Sequence, residues 1–86
     1  MITRHDVAKK FSEYLRSQMK LEELVAWAED MMMEEEFDPH DFETLRSIVS
    51  RIGVADVREF GLSWEDCHDF LSLLGYRAKV EVSAID

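Results

Sequence analysis

Ten of the nineteen acidic residues in this 86-residue chain fall between Glu22 and Glu43, a stretch that holds no Lys or Arg. Clustered carboxylates suit calcium, but an EF-hand loop needs a central Gly and a closing bidentate Glu. No Gly lies between Asp30 and Glu43, so that site is not built. Cys67 and His68 are adjacent, whereas closed zinc sites separate their ligands by two or more residues. Glu65 and His68 match one half of a di-iron helical pair, yet such sites need two pairs and further inward Glu residues. Ser47, Ser50, Ser63 and the three histidines have no nucleophile elbow or triad context, and no Gly-rich loop could cradle phosphate. The residues therefore name no catalytic group, no cofactor and no metal, and the expectation is a protein that is not an enzyme.

What remains is charge. The net charge is −9 for the chain and −10 for Glu22–Glu43, leaving the rest at +1. Like charges at i, i+4 cost roughly 0.2–0.5 kcal/mol per pair, and one-signed surfaces accelerate capture of an oppositely charged partner by roughly 10–1000-fold. The expected partner surface is Glu22, Glu23, Trp27, Asp30, Glu34, Glu35, Glu36, Asp38 and Asp41, meeting a basic protein. The plainer alternative is a solvated face that only keeps the chain soluble. Nucleic acid is not expected: the run Trp64-Glu65-Asp66-Cys67-His68-Asp69 carries three acids and no Lys or Arg, so it would repel phosphate. No apolar run approaches the ~20 residues of a membrane span, the opening Met-Ile-Thr-Arg-His-Asp is unlike a leader, and Cys67 has no second Cys to pair with. The expected compartment is the cytoplasm.

The elements that must position these residues are mostly helical. Thr3 and Asp6 have capping-box spacing and open a first helix to about Gln18, with Val7, Phe11 and Leu15 inward. A second helix spans Leu21–Glu35, although Lys20 is a poor N-cap; Leu21, Leu24, Val25, Ala28, Met31 and Met32 face the core and at least one Met of Met31–Met33 is exposed. Asp38 and Pro39 start a third helix that Gly53 ends, with Phe42, Leu45, Ile48, Val49 and Ile52 inward. A short helical turn, Val54–Phe60, closes at Gly61. Ser63 and Asp66 open a fourth helix that ends before Gly75 and buries Trp64, Cys67, Phe70, Leu71 and Leu74. From Tyr76 to Ser83 apolar and polar residues alternate, a half-buried strand pattern with no second strand to receive it.

The expected fold class is thus mainly α: one domain, residues 1–86, of four helices, a short helical turn and a single C-terminal β-strand. The second functional reading is a structural homodimer assembled through that strand. Self-pairing about Lys79 would set Arg77 against Glu81 of the other copy.

Asp6-Val7-Ala8-Lys9-Lys10-Phe11 through Lys20-Leu21-Glu22-Glu23-Leu24 resembles the first two helices of bacterial immunity proteins of the colicin D type. Ala78-Lys79-Val80-Glu81-Val82 is similar to a segment near that family's end, although more helix is expected there in the family. The resemblance covers about a third of the chain. It implies a small acidic helical bundle that blocks a basic ribonuclease toxin by covering its RNA-binding surface.

Overall fold

In a computed structural model, α1 (Arg4–Leu15) begins on a complete capping box. The Thr3 hydroxyl accepts from the Asp6 N–H at 3.3 Å, and the Asp6 carboxylate accepts from the Thr3 N–H at 2.9 Å. Ile2 before the cap and Val7 one turn in are both buried in the same core cluster, the two positions of a hydrophobic staple. The structure describes residues 1–34, 36–57 and 61–79, the side chain of Glu34 excepted.

The helix stops at Leu15 rather than near Gln18. Ser17 turns into the left-handed region at φ 60°, its N–H donating to the Tyr14 carbonyl at 3.1 Å while the Gln18 N–H reaches back to Glu13 at 2.9 Å. This is a Schellman ending built on a Ser where Gly is usual. α2 (Leu21–Glu34) follows. Its weak cap is offset by Glu23, whose carboxylate accepts from the Lys20 N–H at 3.1 Å. The expected last residue of this helix, Glu35, lies outside the described residues.

The third helix is split at its start. The Asp38 carboxylate accepts from the His40 N–H at 3.0 Å, and this caps a 3-10 turn, Pro39–Asp41, not an α-helix. α3 proper is Phe42–Ile52. Beyond it, Gly53–Val57 is a run of turns rather than a helix, in which Val54, Ala55 and Val57 each donate to the carbonyl three residues back, and 58–60 lie outside the described residues. α4 (Trp64–Leu73) opens on the Ser63–Asp66 capping box and closes on a second Schellman ending, with Gly75 at φ 89°. There the Tyr76 N–H donates to the Leu71 carbonyl at 2.8 Å.

α2 and α3 share the most extensive helix contact, and α1 touches α2, α3 and α4. Val7, Phe11, Leu24, Ala28, Leu45, Ile48, Val49, Ile52 and Cys67 are all buried, and the rings of Phe11 and Phe70 approach to 5.8 Å. Three expected core residues are exposed. Phe42 is 46% exposed beside Phe37, Trp64 is 44% exposed beside His68, and Met32 lies at the helix margin. Phe42 and Trp64 are the first residues of their helices, where no preceding turn lies beneath the side chain.

Among the described residues no helix is long and apolar enough to cross a membrane. One contact has no counterpart in the sequence reading: Ile2 forms a parallel bridge with Phe37. The Ile2 N–H donates to the Glu36 carbonyl at 2.7 Å, and the Asp38 N–H donates to the Ile2 carbonyl at 2.8 Å. The expected C-terminal strand is not found. Tyr76–Lys79 have no strand partner among the described residues, and 80–86 lie outside them.

Ser17 gives a direct test of the α1 ending. A non-Gly residue in the left-handed region is strained, so Ser17→Gly should raise stability by about 0.5–1 kcal/mol, read as a higher urea midpoint at unchanged m-value.

Candidate functional site

Turning about 100° per residue, α2 separates its two faces cleanly. Leu24, Val25 and Ala28 are buried against the core. Glu22, Glu23, Glu29 and Asp30 are exposed on the opposite side. Residues seven apart stack along a helix, so Glu22 with Glu29 and Glu23 with Asp30 form two rows about 10 Å long. Between the rows run Ala26 and Met33, and Met33 is 83% exposed. The site is therefore an acidic helix face with an apolar ridge along its middle. Glu29, Ala26 and Met33 belong to it but were not among the expected residues; the i, i+7 spacing carried that signal.

The other expected residues divide by what they touch. Glu22 and Asp30 are exposed and make no ion pair among the described residues. Glu23 is exposed but one carboxylate oxygen is committed to the Lys20 N–H. Glu36 is exposed, its carbonyl held by the Ile2 bridge. The Glu34 side chain and Glu35 lie outside the described residues.

Three expectations change. Trp27 is half-buried against the core, and the Lys10 ammonium sits 5.9 Å from its ring centroid, so it joins α1 to α2 instead of standing free as an anchor. Asp38 caps the 3-10 turn. Asp41 is paired with Arg4 at 3.1 Å, so its charge is answered within the chain. The usable acidic surface is thus narrower than Glu22–Glu43 and centres on α2.

Elsewhere the reactive residue types are quiet. Cys67 is fully buried, and burial, with the neighbouring Asp66 charge, pushes its thiol up to about 11. Such a thiol carries almost no thiolate near neutrality. The Asp66 carboxyl is held below its usual range by the Ser63 backbone and hydroxyl and, less, by Arg51 at 3.7 Å. Glu65 and His68 are exposed, and His68 lies 6.3 Å from the Trp64 ring. Among the described residues no three His, Cys, Asp or Glu side chains gather to hold a metal ion. Of the tail residues, Arg77 and Lys79 are exposed and line a groove against α1, and Glu81 lies outside the described residues.

Comparison with known proteins finds no matching family model, no matching curated protein and no matching solved structure.

Cys67 supplies a pH prediction. Its folded value of about 11 lies above that of an unfolded thiol, so unfolding releases a proton once pH exceeds the unfolded value. This stabilising contribution is complete below about pH 8.5 and is lost as pH rises toward the folded value. Urea unfolding followed across that window should show a falling midpoint, and Cys67→Val should make the fall shallower.

Proposed function

We propose that the chain is a non-enzymatic binding domain whose acidic α2 face covers a basic protein surface. The observation that carries this reading is the pair of carboxylate rows flanking Ala26 and Met33: Glu22, Glu29 and Asp30 have no ion pair among the described residues. A fully exposed Met is an adaptable apolar contact, and carboxylates on either side steer and orient a cationic partner. Buried in an interface, the ridge would supply affinity that the exposed charges alone do not.

The most concrete form is an inhibitor of a nuclease toxin. A nuclease site is positive because it must hold phosphate, and a rigid set of carboxylates competes for the same cations. The resemblance of the first two helices to colicin D immunity proteins points the same way. In this reading Glu22, Glu29, Asp30 and Met33 meet the toxin, with the exposed Glu36 extending the surface toward the α2–α3 connection. Asp38 and Asp41 shape that connection. The homodimer reading rests on the alternation of residues 76–83 alone.

The test is capture of basic proteins from native lysate by the wild type and by Glu22→Lys/Glu29→Lys/Asp30→Lys. Wild-type capture should weaken as salt approaches 1 M, where the screening length shrinks to about 3 Å. The triple variant should lose the captured protein at low salt while its circular dichroism stays helical. Undiminished capture by that variant would mean that the face is only solubilising.

A further inference from the structure

Four of the ten Lys and Arg residues gather on one side of the molecule. Lys9, Arg16, Arg77 and Lys79, with His5, line an open groove of about 1120 Å³ between α1, α4 and residues 76–79. None of the four makes an ion pair among the described residues, and no acidic side chain lines the groove among them. The floor is apolar: Ala8 and Leu71 are buried, and Leu15 and Ala78 pack against the core. Trp64 and Tyr76, both exposed aromatics, stand in its wall.

This surface lies away from the acidic face. On α1, Lys10 reaches over Trp27 of α2, whereas His5, Lys9, Ser12 and Arg16 recur at helical spacing along the other flank. No α2 residue lines the groove, whose four cations set its potential at close range.

We propose that this groove binds an extended acidic segment of a partner protein whose alternate residues are apolar. Cationic walls answer its carboxylates, and the Ala8, Leu15, Leu71 and Ala78 floor takes the apolar side chains. Such alternation is the natural period of an extended peptide. A nucleic-acid strand would also satisfy the cations and stack on Trp64 and Tyr76, but a chain of net charge −9 repels a polyphosphate more than a short peptide, so peptide is favoured and oligothymidylate is the competing outcome of the test. The site is independent of the α2 face.

The probe is a fluorescein-labelled peptide of about ten residues alternating Glu and Val, followed by anisotropy. It should bind the full chain, and Lys9→Glu/Arg16→Glu should weaken it by about tenfold or more. Arg77→Glu/Lys79→Glu, which leaves α1 untouched, should do the same. Glu22→Lys/Glu29→Lys/Asp30→Lys should bind at least as well as wild type, so loss of the α2 reading leaves this result intact. An all-Glu peptide of equal length should bind several-fold more weakly, because it has nothing for the floor. The proposal is overturned by no binding, by equal binding to the charge-reversed grooves, or by tighter binding of oligothymidylate than of the alternating peptide. A mass that doubles with concentration, and is restored to monomer by Lys9→Glu/Arg16→Glu, would assign the groove to a second copy and likewise overturn it.

Discussion

A helix of about three turns has to serve three neighbours: α1 packs on α2, α3 and α4 alike. It does so through Val7 and Phe11, both without solvent exposure, with Phe11 reaching Phe70 of α4. Removing a buried Phe ring typically costs about 3–5 kcal/mol, a large share of the roughly 5–10 kcal/mol available to a domain of this size. The other elements take their places around this short hub. The Thr3–Asp6 box fixes where it starts, and the Ser17 turn fixes where the chain leaves it for α2.

The distribution of charge follows from that crowding. With its apolar stripe committed to the core, α1 has two flanks left. One carries Lys10 toward Trp27 and so fastens α2; the other carries Lys9 and Arg16 into open solvent beside the tail. α2 in turn buries Leu24, Val25 and Ala28, which forces Glu22, Glu29 and Asp30 outward together. One packing arrangement thereby separates an acidic face from a basic groove. The Arg4–Asp41 pair ties α1 to the entry of α3.

What was legible in the sequence is what short-range chemistry decides. Both capping boxes were readable because the side chain and the N–H it satisfies lie three residues apart. The α1 ending was not, since Ser17 adopts a conformation that Gly would have advertised. Asp38-Pro39 announced a helical start correctly but could not reveal that its first turn would be 3-10. The Ile2–Phe37 bridge joins segments far apart in the chain and leaves no local trace. Of the alternation after Gly75, Ala78 packs inward and Arg77 and Lys79 face out, but Tyr76 is exposed, and a strand also needs a neighbour, which Tyr76–Lys79 lack among the described residues. For the candidate site, exposure of Glu22 and Asp30 followed from helical period alone. The fates of Trp27 and Asp41 depended on which cations tertiary packing brought to them, and no spacing rule reports that.

The single thiol of Cys67, sealed inside α4 against the core, makes this protein its own stopwatch. An alkylating or disulfide reagent can reach the sulfur only in the moments when α4 lifts away, and no other cysteine competes for it. The modification rate under native conditions therefore counts breathing events of the fold, and comparing it with and without a bound partner would locate which openings that partner suppresses.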